Sequence, residues 1–226
     1  MTWVWANADF ILDKTLVHLQ LSLTAIVLSL VLAVPIGWAA NRVAPLRGVV
    51  LTVAGLFYSV PSFALLVVLP TVVGYGLRSD TNLVVALTLY GLALMVRSVA
   101  DGLASVDPDV RQSATAVGYS GWQRFWRVEI PLAGPVLLAG LRVVAVSTIS
   151  LATVGGLIGI NGLGLLFTDG LQRYILEEIV AGIVMTIVLA LLVDAVLVLL
   201  GRALMPWSRG PSRAERRQGA LVGAAA

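Results

Sequence analysis

Val106-Asp107-Pro108-Asp109-Val110-Arg111-Gln112-Ser113-Ala114-Thr115-Ala116-Val117-Gly118-Tyr119-Ser120-Gly121-Trp122-Gln123-Arg124-Phe125-Trp126-Arg127-Val128-Glu129-Ile130-Pro131 is a polar, helix-forming insert between two long apolar blocks. Asp107 is a good helix N-cap, and Pro108 suits the first helical position. Asp109 adds a negative charge to the first turn, where it complements the helix dipole. Gly118 is the expected stop, because glycine takes the left-handed C-terminal conformation cheaply. A second start follows at once, since Ser120 with Gln123 forms a capping-box pair. Pro131 is expected to end that second helix at or before Ile130. The prediction is two short helices bent at a glycine, a knob on a membrane surface. The same residues also suit an amphipathic connector, with Trp122, Phe125 and Trp126 dipping among lipid headgroups and Arg124 and Arg127 staying wet.

The blocks on either side fix the class. The chain has 226 residues, 59% of them hydrophobic and 12% charged. Water cannot cover that much apolar side chain, whereas lipid solvates it. Without cysteine, the chain has no disulfides, thiolate metal sites or cysteine nucleophile. The single histidine, His18, reads as an interfacial side chain at the start of a membrane helix. The net charge of +3 comes from arginines scattered through short loops, which is no nucleic-acid signal.

Five spans are predicted, at about 17–40, 49–73, 82–100, 133–158 and 179–204, in an all-α polytopic membrane protein. Residues 1–16 are expected to form an extracytoplasmic N-terminal segment, residues 17–205 a transmembrane domain, and residues 206–226 a cytoplasmic tail expected to be disordered. The first apolar run follows acidic Asp9 and Asp13 rather than a basic segment, so it reads as a retained span. Of the 15 basic side chains, all but Lys14, Arg78 and Arg173 fall on one side of a five-span topology. That side is the cytoplasm, so the N-terminus is outside, the C-terminus inside and the 106–131 loop cytoplasmic.

Catalytic and phosphate-binding patterns are missing. The only lysine is Lys14, so no glycine-rich Gly-Lys phosphate loop exists, and any ATP-driven work needs a separate engine. No Ser/His/Asp set or paired carboxylates stand within the spans, and an enzyme reading is rejected. Asp194, deep in the last span, is read first as a helix–helix polar contact to Arg142 or a backbone group; a substrate-path or proton-coupling acid is the alternative. Arg97 and Arg142 are expected to snorkel from their span ends. Gly155-Gly156-x-x-Gly159 and Gly162-x-Gly164 suit either tight packing or a gate. Tyr58-Ser59-Val60-Pro61-Ser62 interrupts the second span, as a packed kink on the preferred reading and otherwise as a broken helix lining a cavity.

These segments together resemble a family. The 112–131 spacing is similar to the cytoplasmic "EAA" loop of bacterial ABC importer permeases: Gln112-Ser113-Ala114, three residues, Gly118, nine residues, then Val128-Glu129-Ile130-Pro131. Ala114, Gly118 and Pro131 match outright, while Gln112 and Ser113 stand where the pattern has Glu-Ala. Tyr58 to Leu66, Leu89 to Leu92 followed by Val96-Arg97-Ser98, Val106-Asp107-Pro108, Val128 to Ala133, Pro135, Ala139 to Arg142, Leu157 to Gly164 and Asp194 resemble segments of the betaine/carnitine/choline (osmoprotectant) importer permeases. The resemblance covers roughly residues 15–205. It implies a multi-pass protein of the bacterial cytoplasmic membrane that forms the path for a quaternary-amine solute such as glycine betaine, choline or carnitine. It implies a second copy or paralogous permease, two ATPase subunits that carry ATP-Mg, and an extracytoplasmic binding protein. This chain would bind no cofactor itself. Arg111, Gln112, Ser113, Ala114, Gly118, Tyr119, Trp122 and Pro131 would form the ATPase-coupling loop, and Tyr58, Pro61, Ser62, Gly159 and Asp194 the candidate translocation path or gate. Three alternatives stay open: an importer permease for an amino acid or ergothioneine-like solute, a secondary transporter or channel using Asp194, and a structural membrane scaffold that moves no solute.

Overall fold

Long apolar runs in a bilayer leave the backbone no hydrogen-bond partner but itself, and that condition selects helix. The computed structural model describes residues 2–208, and every regular element among them is helical. Helix α1 (Thr2–Ala6) leads into α2 (Ala8–Arg42), which at 35 residues starts well before the predicted span. Helices α3 (Ala44–Ser59) and α4 (Ser62–Val73) follow, then α5 (Asp80–Ala104), α6 (Pro108–Ala116) and α7 (Gly121–Arg124). A π-helical turn at Phe125–Glu129 runs into α8 (Ile130–Ala152), and a 3-10 turn at Thr153–Ile158 closes it. Helix α9 (Gly164–Gln172), α10 (Leu176–Leu204) and a short 3-10 turn complete the order. Four helices are long and apolar enough to cross a membrane, or five if the bent α3–α4 pair is one span. The predicted tail, 206–226, begins with a 3-10 turn at Pro206–Ser208 rather than disorder, and the rest of it lies outside the described residues.

Helices α2, α5 and α8 form the centre. Gly91 of α5 lies against Ser29 of α2 so closely that a Cβ there would strike its hydroxyl. Ser29 in turn donates to the Thr88 carbonyl at 3.1 Å. Small residues at such crossings let helices meet at backbone distance, the packing mode available where lipid supplies no hydrophobic drive. One core cluster joins Ala33, Met95, Val99 and Leu103 to Val106 and Phe125, so the same packed centre that holds α5 to α8 also seats both ends of the polar insert.

Three expectations are corrected. His18 is not interfacial: it is 2% exposed, with Nε2 2.9 Å from the Ile149 carbonyl of α8. The second span is not a packed kink, because α3 and α4 meet at 105° across Val60-Pro61. Pro131 does not end the second loop helix. The helix runs unbroken from Gly121 to Ile158, because the π turn lets Ile130 N–H reach back five residues to the Phe125 carbonyl. A proline ring clashes with the carbonyl four residues before it in a regular helix; the wider turn relieves that clash at Arg127.

Candidate functional site

The insert folds by local hydrogen bonds that its sequence specifies. Asp107 accepts from the Asp109 N–H at 2.8 Å and starts α6. Gly118, at φ +95°, stops it. Its N–H donates to the Thr115 carbonyl at 3.0 Å and the Tyr119 N–H to the Ala114 carbonyl at 3.1 Å, the paired bonds of a Schellman closure. The Ser120 hydroxyl accepts from the Gln123 N–H at 3.3 Å, and Gln123 Oε1 accepts from the Ser120 N–H at 3.0 Å. Both halves of the capping box are therefore made.

Three tethers hold this knob to the bundle. Arg111 donates to the Leu103 and Val106 carbonyls at 3.2 and 2.6 Å, and so caps the end of α5. Arg124 pairs with buried Glu129 at 2.8 Å and also donates to Thr115 on α6 at 2.8 Å. Phe125 is buried against Trp38, whose other neighbour is the Arg42 guanidinium at 5.0 Å. The connector reading had Phe125 in lipid; it is instead the root of the knob. Among the polar side chains that the knob leaves outside stand three large apolar ones: Val117 is 79% exposed, Trp122 66% and Trp126 47%. Exposed tryptophans on a rigid, polar-rimmed projection suit a docking surface. The Arg124–Glu129 pair escaped the sequence reading because residues five apart face different ways on an α-helix. They meet only on a π turn.

Tyr58, Pro61 and Ser62 do surround a helix break. Where the chain turns between α3 and α4, the Tyr90 hydroxyl of α5 donates to the Val60 carbonyl, and the Tyr58 and Tyr90 rings pack edge to face at 6.2 Å. Asn82, fully buried on α5, ties down α4 and the chain after it by donating to the Leu66 carbonyl, which Pro70 leaves without its helical donor, and to the Leu77 carbonyl, at 3.0 Å each. Irregular backbone at membrane depth persists only when such partners exist.

Gly159 and Asp194 line separate cavities, so the candidate path residues do not converge in one chain. Gly159, at φ +80°, borders a space of about 480 Å³ with Arg78, Asp169 and Gln172. Asp194 borders one of about 670 Å³ between α8 and α10. There Arg142 holds it with two bonds, Nε to Oδ1 at 2.6 Å and an Nη to Oδ2 at 2.8 Å. Arg142 therefore does not snorkel; it turns to Asp194. Among the described residues no three histidine, aspartate or glutamate side chains gather as a metal site.

Comparison with known proteins gives this geometry its context. A family model described as binding-protein-dependent transport system inner membrane component matches residues 21–209. The glycine betaine/carnitine/choline transport system permease protein OpuCB of Bacillus subtilis is 34% identical over 91% of this chain and 94% of its own length. The osmoprotectant import permease protein OsmW of Salmonella typhimurium is 34% identical over 83% of this chain and 88% of its own. The choline transport system permease protein OpuBB of Bacillus subtilis is 32% identical over 88% and 91%. In three dimensions the chain resembles a chain of the MetNI methionine ABC transporter in an inward-facing conformation. The TM-score is 0.80 at 20% identity, over 88% of this chain and 98% of that one.

Proposed function

The chain belongs to the family of binding-protein-dependent transport system inner membrane components, and on that premise we propose that it is the permease through which an ATP-driven importer moves a quaternary-amine osmoprotectant. Glycine betaine, choline and carnitine are the cargoes that its relatives' names support. The observation that carries the coupling half of this reading is the knob at Pro108–Arg127. It is stiffened by its own caps, rooted by Phe125 and Arg124, and presents Val117, Trp122 and Trp126 among its outward polar side chains.

The family description and the relatives' names support the partners, and the exposed knob supports one of the docking surfaces. ATP and magnesium sit on two separate ATPase subunits, which dock Trp122 and the Gln112–Tyr119 edge of the knob. A second copy or a paralogue completes the path, and an extracytoplasmic binding protein delivers the solute. The protein spans the bacterial cytoplasmic membrane several times, with the knob on the cytoplasmic side. Closure of the ATPase dimer moves the knob. Because α7, the π turn and α8 are one continuous rod, that displacement is passed to the membrane half of α8. Nucleotide drives the cycle only by binding inward- and outward-open states unequally.

The test is uptake by the permease, its ATPase and its binding protein in proteoliposomes. Glycine betaine or choline should enter strictly with ATP and in the presence of a protonophore. Gly118→Asp should insert normally, since nothing lies within 4 Å of a Cβ there, yet it sets a charged side chain on the face that docks the ATPase, so binding-protein-stimulated ATPase activity and uptake should fall together. Flux without ATP, abolished by the protonophore, would replace the importer with a secondary transporter. ATP-dependent uptake of an amino acid that betaine and choline do not compete for would keep the importer and change the cargo.

A further inference from the structure

The Arg142–Asp194 pair stands where ions are hardest to keep. Arg142 is twelve residues beyond Ile130 and Asp194 ten residues short of Leu204, or about 18 and 15 Å along their helices, near the middle of a hydrocarbon layer of roughly 30 Å. Yet the pair is not sealed inside the bundle. The side chains are 42% and 24% exposed and open onto the cavity of about 670 Å³ between α8 and α10. Val143, Ser147 and Ser150 continue that wall along α8, and Ile187 and Ala190 lead to Asp194 along α10, each series at the three- and four-residue steps of one helix face, with the Thr186 hydroxyl beside them. The result is a groove with an apolar floor, a few hydroxyls and one cation–anion pair at its centre. A pair serving only to hold two helices together would gain by turning inward, away from any space it shares with lipid.

Charge conservation limits what such a groove accepts. An ion left unpaired at this depth is expensive. A lone cation drawn to Asp194 must release Arg142 with no partner; a lone anion strands Asp194. A zwitterion strands neither, because its carboxylate replaces Asp194 on the guanidinium and its ammonium replaces Arg142 on the carboxylate. The planar guanidinium suits a bidentate carboxylate.

Resting on the permease reading above, we propose that Arg142 and Asp194 form a charge-exchange site on the translocation path, which opens to hold a small zwitterionic solute and closes on itself when the solute leaves. The site therefore prefers quaternary amines that carry a carboxylate, such as glycine betaine, over those that do not, such as choline. Empty, the closed pair keeps the groove electrically neutral.

The absence of cysteine from the chain makes the test direct. Ser147→Cys places one thiol in the groove of the assembled transporter in proteoliposomes. Its modification by a water-soluble maleimide is followed by mass spectrometry of this subunit. Millimolar glycine betaine should slow the modification several-fold, and equal choline should not. In the Arg142→Gln/Asp194→Asn background the difference between the two solutes should vanish. Uptake of betaine relative to choline should then fall roughly tenfold, the scale of one charge-assisted hydrogen bond. No protection by betaine with the native pair, or equal protection by choline, overturns the site even if the double variant fails to fold. Betaine protection that survives in a folded double variant overturns it as well. A native-pair transporter that takes up neither solute with ATP sinks the permease reading beneath it, an outcome that uptake separates from the labelling result.

Discussion

The loop between α5 and α8 and the turn between α8 and α9 each bend at a positive-φ glycine, and they are held in opposite ways. Around Gly118 space is open: no atom would meet a Cβ within 4 Å, and the bend is kept by caps made within the loop. Around Gly156–Gly164 there is no space at all. A Cβ on Gly156 would overlap the Gly164 carbonyl carbon, and one on Gly164 would overlap the Thr153 carbonyl oxygen. His18 then presses on Gly162 from α2, its Nδ1 3.2 Å from where a Cβ would sit. The bend that the proposed coupling role would move is thus built from bonds made within the loop. The bend at the other end is welded to its neighbours.

The sharpest way to break this contrast is Gly156→Val. Backbone opposes backbone there, so neither side can turn away. A loss of more than about 3 kcal/mol is expected, at or above the usual cost of overpacking. It would show as poor accumulation in the membrane and a lower melting temperature in detergent. Near-normal melting would mean that the two segments are not in contact.

Arg124→Ala comes next. It leaves the Glu129 carboxylate, 5% exposed on its side chain, buried without its cation, at an expected cost of about 3 kcal/mol. Adding Glu129→Leu should recover most of the loss. A double-mutant cycle on melting temperature measures the coupling, and additive losses would mean that the pair does not root the knob.

His18→Phe tests the welded end more gently. It removes the ring nitrogen that meets the Ile149 carbonyl at 2.9 Å while keeping an aromatic body. About 1 to 2 kcal/mol is expected, read from melting and from faster hydrogen exchange at Thr153–Gly164. If exchange there does not change, His18 does not fasten the turn.

The two regions also differ in how much of them the sequence discloses. Asp107, Gly118, Ser120 and Gln123 bond to partners within five residues, so their roles follow from spacing alone. His18 and Ile149 lie 131 positions apart, and nothing local to His18 separates a buried tether from an interfacial ring. The break at Pro61 is visible in the chain, but its 105° angle depends on Tyr90, on a different helix. Pro131 misleads for a physical reason: a proline stops an α-helix but not one already widened into a π turn. Asp194 falls between these cases. Arg142 was its named candidate partner, while the cavity onto which both open depends on how α8 packs against α10.

The smallest effect, and the finest probe of the contrast, is expected at Gly118. With open space around it, a side chain there adds backbone strain and little else. Gly118→Ala should cost about 1 kcal/mol. Gly118→Asn should cost less, because asparagine visits the left-handed region more readily. Global melting averages over the whole bundle and would scarcely register either change. Hydrogen exchange at Ala114–Tyr119 reads the Schellman bonds directly, and should speed up by roughly fivefold for a 1 kcal/mol loss. If alanine instead costs as much as valine does at Gly156, the knob already rests against another surface in the assembled transporter. The loop would then be a packed joint like the turn at the far end of α8.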